Sequence, residues 1–205
     1  MLRGRQGPTI SRQDSRHGLI TLCFVQVVLS TTLLLLLTTQ WTPEHRLFHL
    51  SQHIFLISWL TRGTLLAIPI TSIAIVVSVW VRIPRLMLVA TGIISLLLVM
   101  LVLTIVWITQ LHNGIWNNVF ALNYMTNGDD VCPGIAGSAC CGWDYCPLPL
   151  CEFADRPCEE VVTQWIRDLF VKTMPLLSLI LTLGVAQTVL GFYRVQLLWR
   201  QGVFA

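Results

Sequence analysis

Four long runs of apolar residues set the pattern of this chain. The runs cover residues 19–39, 58–81, 86–109 and 174–199. A helix needs about 20 consecutive apolar residues to cross the hydrocarbon core of a bilayer. Each run has at least that length, so the pattern predicts an all-α integral membrane protein built as a bundle of four transmembrane helices.

Composition agrees with lipid surroundings for much of the chain. Hydrophobic residues make up 55% and charged residues 11% of the 205 positions, and the mean hydropathy is +0.71. Water-soluble domains carry about 25% charged residues, and four apolar runs of this length leave too little polar surface for such a domain. The formal net charge is +3, and no block of like charges predicts a nucleic-acid partner.

Lys and Arg residues near the ends of the runs predict the orientation of the chain in the membrane. Eight of the 13 lie in the N-terminal tail (1–18), in the inner loop (82–85), or at the end of the fourth run and in the tail that follows (200–205). The opposite side holds nine of the ten acidic residues. We therefore expect both termini in the cytoplasm, with segments 40–57 and 110–173 outside the cell or in a lumen. The plasma membrane is the expected location, with an endosomal or vacuolar membrane as the alternative.

Six of the seven cysteines lie close together in the longer outer segment. They are Cys132, Cys140, Cys141, Cys146, Cys151 and Cys158. Because the outer side of a membrane is an oxidising compartment, an even number of clustered cysteines there predicts structural disulfide bonds. The cluster has neither the CxxC pairs nor the intervening histidines typical of zinc ligation or thiol–disulfide catalysis, so we expect no metal site. The spacing leaves the connectivity open.

A CCG sequence, at residues 140–142, lies between the third and fourth runs. The chain also has a short first outer segment, a small inner loop (VRIPR) and a helical pattern that leads from Cys158 into the fourth run. In these features it resembles the tetraspanin family, and its small outer loop is more similar to fungal members than to animal ones. The resemblance implies a four-helix bundle with a small disulfide-bridged loop between helices 3 and 4.

The resemblance also implies a set of disulfide bonds, because the CCG cysteines of tetraspanins bond to later cysteines of the same loop. The implied pairs are Cys140–Cys158 and Cys141–Cys151, with Cys132 and Cys146 left for the third bond. The chain departs from the family where tetraspanins have Pro-x-Ser-Cys after CCG, since it has Pro149-Leu150-Cys151.

Polar residues within the spans are few. Family members often carry an acidic or amide residue in the first, third and fourth spans, and this chain has Gln26 and Gln187 in the first and fourth. The third span has only hydroxyl side chains, at Thr91, Ser95 and Thr104. The inner loop lacks the cysteines at which tetraspanins are palmitoylated, so Cys23 is the remaining candidate for acylation. An unmodified buried thiol is the alternative.

The resemblance implies a scaffold that binds other integral membrane proteins, or further copies of itself, laterally among membrane lipids. Apolar residues at helical spacing in 111–122 and 162–170 predict a helical stem beneath the cysteine-rich segment. The candidate partner contacts in that segment are Trp143, Asp144, Tyr145, Leu148 and Phe153. Aromatic residues dominate interface energetics, and the alternative is that several of these side chains fill the small core of the segment.

Two other classes of function have weaker support in the sequence. The alternative is a small oligomeric transporter or channel, or an auxiliary subunit of one. Such proteins need ionisable or polar groups at membrane depth, and no span contains a carboxylate. No nucleophile–base pair, carboxylate dyad or phosphate loop can be assembled from the spacing. We therefore expect no enzyme, no catalytic residue, no cofactor and no small-molecule substrate.

Overall fold

Long helices make up most of the structure. The computed structural model describes residues 12–41, 52–81, 83–115, 117–118, 121–122, 134–135, 138–139, 143–144 and 157–200. The long helices are α1 (Arg12–Trp41), α2 (Gln52–Val81), α3 (Pro84–His112) and α4 (Cys158–Arg200). Two short antiparallel strands, β1 (Gly134–Ile135) and β2 (Ser138–Ala139), precede the CCG sequence. In their register Gly134 lies opposite Ala139 and Ile135 opposite Ser138.

Each of these four helices contains a segment long and apolar enough to cross a membrane. The prediction of a multi-pass, all-helical membrane protein is therefore confirmed. The helices extend beyond the apolar runs, because a run marks only the part of a helix that lies in lipid. The extension is largest in α4, whose 43 residues join the predicted stem and the fourth span in one helix. Glu159 and Glu160 lie in its first turn, where carboxylates interact favourably with the helix dipole.

Local sequence explains both ends of α3. Pro84 occupies the first turn, where its missing N–H and fixed φ suit a helix start. At the other end Gly114 has a φ of +73°, in the left-handed region where glycine has no steric penalty. Its N–H donates to the carbonyl of Leu111 at 3.1 Å, which terminates the helix.

The four helices pack in a ring, in which each contacts the next along the chain and α4 contacts α1. Only Arg82 and Ile83 separate α2 from α3, as expected for antiparallel neighbours. One core cluster joins the start of α1, the end of α2, the start of α3 and the end of α4. The chain therefore runs up, down, up and down. We call this end of the bundle the terminal end and the opposite one the loop end.

Large side chains fill the loop half of the bundle, the half nearer the loop end. Its buried cluster includes Leu101, Trp107, Trp143, Cys158 and Ile166. The terminal half has a smaller cluster, which includes Leu19, Cys23, Ile75, Met87 and Ala90. The outward faces of the spans are also apolar, because large hydrophobic side chains on all four helices are exposed at the surface of the bundle.

Two glycines let α4 approach its neighbours closely. A Cβ atom at Gly184 would collide with a methyl group of Leu98 on α3, and one at Gly191 would lie 2.9 Å from Oγ1 of Thr91. Gly63 and Gly92, in contrast, have nothing within 4 Å of the position of a Cβ atom. The contact between α3 and α4 thus depends on glycine at two of these four positions.

Candidate functional site: the cysteine-rich segment and the polar interior

The segment after the CCG sequence is fastened to the first turn of α4. The backbone N–H of Glu159 donates to the carbonyl oxygen of Trp143 at 3.2 Å. The first N–H groups of a helix have no partner within the helix, so this bond satisfies one of them. Cys158, next in the chain to Glu159, is fully buried and is disulfide-bonded. The remaining five cysteines of the cluster, and so the predicted pairing, lie outside the described residues.

The candidate partner contacts do not share one environment. Trp143 is only 7% exposed and packs in the core of the loop half. A ring buried in this way is not available to a partner, so the packing alternative replaces the contact assignment for Trp143. Asp144, the next residue, is exposed and stays a candidate. Tyr145, Leu148 and Phe153 lie outside the described residues.

A charged groove runs along the first turns of α4, beside the attachment of Trp143. Its lining residues are Pro157, Glu159, Glu160, Thr163, Gln164, Arg167 and Asp168. Glu160, Gln164 and Arg167 are exposed. The groove therefore offers donors, acceptors and both signs of charge to a partner that approaches from outside the membrane.

The predicted stem is present on the α4 side. Val162, Ile166 and Leu169 are buried in the core of the loop half. The rings of His112 and Phe170 stack with their centroids 4.1 Å apart, which joins the end of α3 to α4.

On the other side of the stem, the prediction was partly wrong. Ile115 and Leu122 are each 63% exposed rather than packed against α4. The helix α3 ends at the turn of Gly114, so the helical spacing that predicted one continuous buried face does not continue past it. Val119 lies outside the described residues.

Two glutamine side chains form the polar interior of the membrane-spanning bundle. Gln26 and Gln187 are both fully buried. The Nε2 atom of Gln26 donates to the carbonyl oxygen of Ile180 on α4 at 3.1 Å. The Nε2 atom of Gln187 donates to the hydroxyl of Ser72 on α2 at 3.3 Å. In the part of the chain that the structure describes, neither Oε1 atom accepts a hydrogen bond.

Ser72 was not singled out from the sequence, although a signal for it exists. Among the buried residues of α2, five recur at positions 65, 68, 72, 75 and 79, at alternating intervals of three and four. Ser72 is the polar member of that series, so it faces the bundle.

The third span takes part in polar contacts through its hydroxyl groups. The Oγ1 atoms of Thr61 on α2 and Thr104 on α3 lie 3.5 Å apart. Thr91 is buried, and its hydroxyl donates to the carbonyl of Met87 in its own helix at 2.7 Å. A polar contact of α3 therefore runs to α2 through these two hydroxyl groups.

The candidate acylation site at Cys23 is not accessible in the folded chain. Its side chain is 1% exposed and packs with Leu19, Ile75 and Val79 in the core of the terminal half. An acyl chain on this sulfur would displace that core. The alternative, an unmodified buried thiol, fits the structure.

Comparisons of this chain with protein-family models, with curated proteins and with solved structures find no match. The tetraspanin resemblance therefore stays a prediction, which rests on the order of the spans and on the cysteine-rich segment of the sequence itself.

Proposed function

We propose that this chain is a tetraspanin-like membrane scaffold. In this proposal it binds and laterally organises other integral membrane proteins, through its outer cap and its helices, without chemistry of its own. The outer cap is the segment from 134 to 168. The plasma membrane is its proposed location, with both termini in the cytoplasm.

The observation that carries the proposal is the contrast between an uncharged interior and a charged cap. The sequence has no Asp, Glu, Lys or Arg in 18–39, 63–81, 86–111 or 173–193. The most polar groups buried there are Gln26 and Gln187, and each donates to a neighbouring helix. Charged side chains gather instead on the exposed groove at the start of α4. Such a distribution suits recognition of a partner outside the membrane better than passage of an ion through it.

Attachment of the cap to the bundle also supports this proposal. Trp143 and Cys158 belong to the same buried cluster as residues of the spans, such as Leu101 and Ile180. The exposed groove is consequently held on a rigid support. Binding surfaces that are already ordered lose less conformational entropy when a partner binds.

Crosslinking in native membranes, followed by mass spectrometry, tests the proposal. We would compare the full chain with the variant D144R/Q164R, which changes two exposed residues of the cap. The matched control is Q196R, because Gln196 is also exposed and lies at the other end of α4. We expect the cap variant to lose most of the crosslinked partners and the control to keep them.

Two results would count against the scaffold. The first is recovery of no membrane-protein partner, and the second is an identical set of partners for all three chains. A flux of ions or solutes through liposomes that contain the purified chain would instead favour the alternative of a small oligomeric transporter or channel.

A further inference from the structure

Basic residues at the terminal end of the bundle are all arginines. The described helices place Arg12 and Arg16 at the start of α1, Arg85 at the start of α3, and Arg194 and Arg200 near the end of α4. The one acidic residue of these helix ends is Asp14. Five arginines and one aspartate give this end of the described helices a net charge of +4.

The loop end has a different balance. Its described basic residues are Arg62, Arg167 and Lys172, and its described acidic residues are Asp144, Glu159, Glu160 and Asp168. Lys172 is also the one lysine in the whole sequence, which has 13 Lys and Arg residues together. The described residues of the loop end therefore carry a net charge of −1, so the net positive charge is confined to the terminal end.

We call the five arginines at this end of the bundle the arginine rim, and one of them, Arg16, packs against a neighbouring helix. The guanidinium carbon of Arg16 lies 5.9 Å from the ring centroid of Trp80, a cation–π contact that joins α1 to α2. Trp80 and Trp199 are 67% and 68% exposed, and indole rings favour the interface between lipid and water. Arg85 and Arg200 are exposed, so their charges are accessible at this rim.

We propose that this arginine rim binds the phosphate headgroups of anionic phospholipids. A guanidinium presents paired N–H donors that match two phosphate oxygens. The net charge of +4 at this end favours a headgroup with a net negative charge over a zwitterionic one. Lipid is the chosen source of the phosphate because the rim follows directly on apolar spans and is lined by exposed indoles. The inference depends on the four spans and not on the scaffold function.

Native mass spectrometry of the full chain in a neutral detergent tests this inference. Phosphatidylserine and phosphatidylcholine are titrated separately, and the association constant of each is measured. We expect phosphatidylserine to bind more tightly, and we expect R16Q/R85Q/R200Q to weaken it by about fivefold for each arginine that contacts a headgroup. The variant R85Q/R200Q keeps the contact between Arg16 and Trp80, so a fold defect and a binding defect can be separated.

The matched control is R167Q/K172Q, which removes two exposed charges from the loop end of α4. It is expected to leave the preference for phosphatidylserine unchanged. Equal binding of the two lipids, or an equal loss in the control variant, would overturn the proposal. Displacement of the lipid by an equal concentration of inorganic phosphate would also overturn it, because the rim would then select free phosphate rather than lipid.

Discussion

The two halves of this bundle are held together in different ways. In the loop half, aromatic rings and the disulfide-bonded Cys158 fill a core that continues beyond the membrane into the cap. In the terminal half, the helices meet through small residues, such as Gly191 against Thr91, and through the bond from Gln187 to Ser72. The loop half thus depends on large side chains and sulfur, as small extracellular domains do. The terminal half has a smaller core and depends more on close approach of helices, as membrane bundles do.

The largest expected effect concerns Trp143, the ring that joins the cap to the bundle. W143A should reduce the free energy of unfolding by about 3–5 kcal/mol, because it leaves a large cavity in the core. The measurement is unfolding of the purified chain in mixed detergent micelles, followed by circular dichroism. D144A is the control, since the neighbouring side chain is exposed and should change stability by less than about 0.5 kcal/mol. Equal effects of the two variants would contradict the role of Trp143 in the core.

Removal of the bond at Cys158 should come next in size. C158S, or reduction of the wild-type chain, should destabilise the cap by about 2–5 kcal/mol, because the disulfide restricts the unfolded ensemble. Limited proteolysis of segment 110–157 gives the readout. The spans should stay protected, since their described contacts in the terminal half contain no disulfide. Cleavage within α1 or α3 at the same rate as in the cap would show that the halves are not independent.

Close approach in the bundle predicts a smaller effect at Gly184. G184A should cost about 1–3 kcal/mol, because its new methyl group would overlap Leu98 and force the side chain or the helix to shift. G92A is the matched control in a transmembrane helix, as the space there is open. It should leave stability unchanged or raise it by about 0.5–1 kcal/mol, since alanine is the better helix former. The measurement is the thermal unfolding midpoint of both variants in one detergent, and the midpoint of G184A should be the lower one.

The smallest expected effect concerns the buried amides. Q26L removes a hydrogen bond to Ile180 but also removes an Oε1 atom that has no partner among the described residues. Hydrogen bonds between membrane helices contribute about 0.6 kcal/mol on average, so Q26L should destabilise the bundle by about that amount or less. A loss of unfolding free energy several times larger than this would show that the buried amides, rather than glycine packing, hold the spans together. Q196L, at an exposed glutamine, is the control.

The spans could be predicted from the sequence because length and hydropathy alone decide whether a helix crosses a bilayer. The faces of the helices that point into the bundle could not be predicted in this way. Lipid tails are as apolar as leucine, so the lipid-exposed Leu96 and the buried Leu98 look alike in the sequence. Polar residues gave the better guide, since Gln26 and Gln187 both face the interior as buried amides must.

Sequence pattern also did not predict which side chains of the candidate site are buried. Trp143 and Asp144 are adjacent in a bend, and no periodicity distinguishes the side chain that packs from the one that is exposed. The residues of α4 were more predictable, because Val162, Ile166 and Leu169 recur at helical spacing and are all buried. Ile115 and Leu122 show the limit of that signal, since a single turn at Gly114 ended the face to which they were assigned.

Labelling of intact membranes with a membrane-impermeant maleimide tests whether the cysteine-rich segment is oxidised and lies on the outer side. We expect no labelling of its cysteines before reduction and six labels for each chain after treatment with an impermeant reductant. Cys23 should stay unlabelled in both cases because it is buried among the spans. Labelling before reduction, or labelling that requires the membrane to be permeabilised, would contradict an oxidised cap on the outer side.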